Sequence, residues 1–118
     1  MINKNEEIKK IANSVIAECH SDYDGLWCII GAVKYHEVPF EKSDIRATVF
    51  EIIHRILQEK DIVVGDFVRK NDVIHFQPWD YSIEQAIARI DNEWNQLGRD
   101  PGVNEIAWFV AKNILPKP

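Results

Sequence analysis

Residues 61–76 decide the fold: Asp61-Ile62-Val63-Val64-Gly65-Asp66-Phe67-Val68-Arg69-Lys70-Asn71-Asp72-Val73-Ile74-His75-Phe76. Two short runs rich in β-branched and aromatic residues flank the polar, turn-like Arg69-Lys70-Asn71-Asp72. That pattern predicts a β-hairpin with strands at about 62–69 and 73–76, ended by Pro78. The segments on either side have the period of helices.

Upstream, Ile8, Ile11, Val15 and Ile16 fall on one stripe, which predicts a first helix from Glu6 to about Cys19. Ser21 or Asp22 is positioned to cap a second helix running to about Tyr35, with Leu26, Trp27, Ile29, Ile30 and Val33 as its core. Trp27-Cys28-Ile29-Ile30 also suits a buried strand, but the apolar segment is long and lacks turn residues, which favours helix. Gly31 and Ala32 suggest close packing against another helix. Ser43 is placed to cap a third helix from Asp44 to about Glu59, whose stripe is Ile45, Val49, Ile52, Ile53 and Ile56.

Downstream, Ser82-Ile83-Glu84-Gln85 fits a capping box, in which the serine and glutamine side chains each bond the other's backbone donor. The helix it starts carries Ile83, Ala86, Ile87, Ile90, Trp94 and Leu97, and Gly98 suits its left-handed stop. Asp100-Pro101 precedes a last predicted helix over about Asn104–Asn113, burying Ile106, Phe109 and Val110. The expected fold class is α+β and mostly helical: three helices, a two-stranded hairpin, then two helices, in a winged-helix-like order. The 118 residues make one domain, 1–118.

The charge balance narrows the function. The formal net charge is −5, and residues 61–105 hold nine acids against four bases. The third helix has balanced charges, and in the hairpin Asp66 and Asp72 flank Arg69 and Lys70. A nucleic-acid surface needs a clustered basic stripe, so no nucleic acid is expected as a partner. No apolar run approaches the ~18 residues of a membrane span, so no membrane association is expected. The polar start, Met1-Ile2-Asn3-Lys4-Asn5, is not that of a secretory signal, and the expected location is cytoplasmic.

No catalytic or cofactor motif is present. Cys19, His20, Cys28 and His36 lack the spacing of a chelating knuckle, so no metal or cofactor is expected. Both cysteines lie in apolar stretches and read as small core residues. No phosphate-cradling glycine loop or Gly-x-Ser-x-Gly turn occurs, so the chain reads as a non-enzyme.

The tryptophans are the richest feature. Trp27 and Trp94 read as core. Trp79 differs, because it lies between Pro78 and Asp80, where the hairpin meets the fourth helix in the most acidic part of the chain. It can seal that junction or, half-exposed among carboxylates, anchor a partner together with Tyr81. The candidate partner-binding residues are therefore Asp66, Asp72, Trp79, Asp80, Tyr81, Glu84 and Asp91.

Gly65-Asp66, Phe76-Gln77-Pro78-Trp79-Asp80, Ala86 with Arg89-Ile90, Glu93-Trp94, Leu97-Gly98-Arg99-Asp100-Pro101 and Glu105-Ile106-Ala107-Trp108-Phe109 resemble a family of small acidic bacterial proteins. Those proteins are similar to the immunity proteins encoded beside secreted toxins, contact-dependent growth inhibition systems included. The resemblance covers about residues 61–110. It implies a cytoplasmic, non-enzymatic protein that holds a cognate toxin domain inactive. A nuclease is the expected toxin, because nuclease clefts are basic. The alternative is a winged-helix-like regulator or protein-binding adaptor.

Overall fold

The computed structural model describes residues 3–116. Helix α1 spans Lys4–Cys19, and the Asn3 side chain accepts from the Asn5 and Glu6 N–H groups at its start. That cap starts the helix two residues earlier than the apolar stripe alone suggests. Strand β1, Asp24–Gly25, leads directly into α2, Leu26–Lys34. A 3-10 turn at Lys42–Asp44 precedes α3, Ile45–Leu57. Strands β2, Ile62–Lys70, and β3, Val73–Pro78, form the hairpin. Helix α4, Ile83–Leu97, and strand β4, Trp108–Ala111, complete the chain. The class is α+β, and the described residues form four α-helices and a four-stranded antiparallel sheet in the order β1-β4-β2-β3.

The hairpin forms as the sequence predicts, and its two-residue turn is explicit. Asn71 and Asp72 have φ of 53° and 62°, the left-handed pair that lets a tight turn follow the strand twist. The α4 start also matches. Ser82 Oγ accepts from the Gln85 N–H at 3.1 Å, and Gln85 Oε1 accepts from the Ser82 N–H at 2.9 Å. Gly98 ends the helix at φ 68°. Ser82→Ala should therefore cost about 1 kcal/mol in chemical denaturation, and Gln85→Ala less.

The last predicted helix is a strand. Trp108–Ala111 lies in the middle of the sheet, with Phe109 opposite both Asp24 of β1 and Val64 of β2. Ile106, Phe109 and Val110 have helical spacing, but a strand covered on both faces also buries consecutive residues. The helix start suggested by Asp100-Pro101 is used for a loop. Arg99 grips Glu105 with bonds of 2.7 and 2.9 Å, and Glu105 also accepts from the Gly102 N–H. These bonds hold the Glu105 carboxyl down at about 2.

The winged-helix expectation also needs correction. The hairpin is not a free wing, because β2 pairs with β4 along its other edge. Helix α3 packs against α1, α2, α4 and β2, with Val49, Ile52, Ile53 and Ile56 fully buried. It is a central core helix, not one presented to a groove.

Two expected caps are absent. Neither Ser21 nor Asp22 caps α2, whose N-cap is Gly25; Asp22 accepts from the Tyr23 N–H instead. Ser43 lies inside the 3-10 turn, and the Asp44 carboxylate binds Lys4 at 2.7 Å. Nor does Gly31 mark a close helix contact, since a Cβ there would meet nothing within 4 Å. Gly31→Ala should therefore stabilise the protein by roughly 0.5–1 kcal/mol, through better helix propensity and a less flexible unfolded chain. Thermal unfolding would check the sign.

The core joins all four helices to one face of the sheet through Ile62, Val64, Phe109 and Ala111. Trp94 belongs to it, but Trp27 does not: it is half-buried and meets Trp108 edge-on at 4.6 Å. Among the described residues, no helix is long and apolar enough to cross a membrane.

Candidate functional site

The junction of β3 and α4 is built around Trp79. Its backbone N–H donates to the Val64 carbonyl, which holds the chain against β2 as it leaves the sheet. The indole Nε1–H donates to Asp66 Oδ2 at 2.8 Å. The same carboxylate oxygen binds Arg89 at 3.1 Å, and Arg89 Nε donates to Glu93 at 2.7 Å. The guanidinium lies 4.0 Å from the centre of the Trp79 ring. Burial works against the Arg89 charge, but the Glu93 hydrogen bond and the Asp66 and Glu93 charges outweigh it and raise its pKa. Trp79 is thus a clip between hairpin and α4, held by a hydrogen bond and a cation–π contact.

Next to the clip, Tyr81 is 49% exposed, its ring 5.8 Å from that of Trp79. Asp80 and Glu84 are exposed and make no ion pair among the described residues. Glu84 sits in the first turn of α4, where the helix dipole favours a carboxylate. Beside them is a socket of about 110 Å³, walled by Leu57, Ile62, Val64, Trp79, Ile83 and Ala86, with Tyr81 and Ser82 at its polar edge.

The structure therefore brings Trp79, Asp80, Tyr81 and Glu84 together, with Asp66 beneath as the tryptophan's partner. It separates the other two. Asp72 is at the hairpin turn, a strand's length from Trp79, roughly 20 Å at about 3.3 Å per residue. Asp91 binds Arg46 of α3 at 2.6 Å, and that guanidinium lies 4.5 Å from the Trp94 ring centre. Of the nine acids in 61–105, five pair internally: Asp66, Asp91, Glu93, Asp100 and Glu105. The net charge of this half thus overstates the carboxylates free to meet a partner.

A second aromatic surface escaped the sequence reading. Gly65 faces Trp108 across β2 and β4, and Phe67 faces Phe76 across the hairpin. Paired residues share a face, and so do residues two apart in a strand. Trp108, Phe67 and Phe76 therefore line the sheet face opposite the helices. Tyr23 packs on it at 4.8 Å from Phe67 and 5.5 Å from Phe76. Trp27 lies over Gly25, where a Cβ would overlap its ring. Phe67 and Phe76, one on each strand of the predicted hairpin, are a usable signal, but the helical reading of Trp108 hides the surface.

His36 bonds Glu7 at 2.9 Å, and His20 bonds Asn113 at 3.1 Å. Burial pushes the thiols up, Cys19 to about 12 and Cys28 to about 11, so both stay protonated near neutrality. Among the described residues, no group of three His, Cys, Asp or Glu side chains is placed to hold a metal ion. No family model, curated protein or solved structure matches this chain.

Proposed function

We propose that this chain is a cytoplasmic binding protein that docks on a basic toxin domain and occludes it, in the manner of an immunity protein. The observation that carries this reading is the small socket at the β3–α4 junction, edged by exposed Tyr81 and flanked by Asp80 and Glu84, which make no ion pair among the described residues. An aromatic side chain beside a preformed socket is the composition of a binding hot spot. Carboxylates around it steer a cationic partner and fix its orientation. A nuclease domain offers the matching surface, since its cleft must attract phosphates.

The test combines growth rescue against any toxin domain encoded by a neighbouring reading frame with binding kinetics. Asp80→Lys with Glu84→Lys should slow association several-fold, and the difference should fade above ~0.1 M salt, where the Debye length is about 10 Å. Tyr81→Ala should act mainly on dissociation, by tenfold or more if the ring fills a partner pocket, as a loss of ~1.4 kcal/mol or greater. Tyr81 is the better probe than Trp79, whose removal also breaks the clip to Asp66 and Arg89. Rescue and binding that survive both variants unchanged would place the interface elsewhere. A salt-sensitive, sequence-specific shift of duplex DNA would favour the regulator reading instead.

A further inference from the structure

A separate groove lies where the end of α1, the 20–25 segment and the start of α2 meet. It has a volume of about 530 Å³ and is lined by Glu18, Asp22, Tyr23, Asp24 and Cys28, with Ala17 and Ser21. Three carboxylates face it, and none of its lining residues is a lysine, arginine or histidine. Asp24 is the telling member. The residue is only 4% exposed, and its Oδ2 is shut off from solvent with no hydrogen-bond partner. The Cys28 thiol, a weak donor, and the Glu18 carboxyl both stand within hydrogen-bond reach of the Asp24 side chain. A buried carboxylate oxygen without a partner is a standing cost to the fold, relieved when a cation or a proton arrives.

The surroundings favour a cation. The last turn of α1 carries no basic residue, so the negative end of its dipole is uncompensated at this groove. Burial, with the Asp24 charge beside it, raises the pKa of Glu18, and burial raises that of Asp24 against the lowering effect of its Cys28 and Glu18 hydrogen bonds. Half-buried Tyr23 is held in place by Phe67 and Phe76 and offers an aromatic wall.

We propose that this groove binds an organic cation, an alkylammonium or guanidinium group, with Asp24 and Glu18 as its anions and Tyr23 as its wall. The group can come from a free polyamine or from a lysine or arginine side chain of a protein. The site is distinct from the β3–α4 junction and stands whether or not the docking reading holds.

The test is an NMR titration of the full, isotope-labelled chain at constant ionic strength. One arm uses spermidine, and the other uses Nα-acetyl-lysine amide to represent a protein side chain. Saturable shifts of the Glu18 and Asp24 carboxyl carbons and of the 18–28 amides are expected in at least one arm, and the stronger arm identifies the source. Asp24→Asn and Glu18→Gln should each weaken binding about tenfold or more, while Asp80→Asn leaves it unchanged. Glu18 is exposed, so its variant keeps the test available if Asp24→Asn fails to fold. Three outcomes overturn the proposal: no saturable shift by ~10 mM in either arm, equal binding by Glu18→Gln, or carboxyls that respond to pH but to neither amine.

Discussion

Phe109→Ala should destabilise the protein by about 4 kcal/mol, the usual range for deleting a fully enclosed aromatic ring. Phe109 is 0% exposed and is among the largest side chains wholly inside the molecule. It sits on β4 between β1 and β2, in the same buried cluster as Val64 and Ala111. The site cannot collapse easily, because strands hold it on both sides. A domain of this kind has only about 5–15 kcal/mol in total, so the variant should unfold at much lower urea. The midpoint should fall while the slope of the transition is kept. A loss below ~1.5 kcal/mol would mean that the ring is not enclosed by the sheet and helices as described.

Gly65→Ala should be nearly as damaging, at about 3 kcal/mol, although it adds one methyl group. A Cβ at this position would overlap the Gln77 carbonyl oxygen and approach the Phe76 ring to 2.9 Å. The oxygen belongs to the backbone of β3, so relief requires the hairpin strands to move apart. Hydrogen exchange should show the loss locally, with faster exchange of the amides in β2 and β3. Gly31→Ala is the internal control, since it adds the same methyl group in open space and should stabilise. Equal behaviour of the two variants would mean that β2 and β3 do not approach this closely at Gly65.

The parts of this fold that were legible in the sequence are those whose causes lie close together along the chain. Ser82 and Gln85 are three residues apart and bond each other, so their pattern carries its own explanation. The same holds for Asn71 and Asp72 in the turn. Strand β1 is the opposite case. Its two residues are strand only because β4 arrives alongside, and nothing near Asp24 announces that. Once β4 is read as helix, β1 loses its reason and Trp27 its partner.

The candidate site divides in the same way. Trp79, Asp80, Tyr81 and Glu84 stay together because a strand end and a helix start are joined by a short link. The engagement of Asp91 was not legible, since its cation, Arg46, comes from α3, 45 residues earlier. Charge counts along a sequence cannot show which carboxylates are already satisfied by the fold. The Glu18, Asp22 and Asp24 groove was equally hidden, because burial of Asp24 follows from its pairing with β4.

The place of β4 has a consequence for how the molecule comes into being. The sheet order puts β4, the last of these four strands to be made, in the interior, between β1 and the hairpin. On the ribosome, α1, α2, α3 and the hairpin can gather before it emerges, but β1 has no neighbour and β2 keeps an open edge. Closure then depends on joining segments from opposite ends of the sequence, a search that is slow and leaves strand edges uncovered meanwhile. A nascent chain halted before Trp108 should therefore remain a substrate for chaperones or proteases, and four further residues, Trp108–Ala111, complete the sheet.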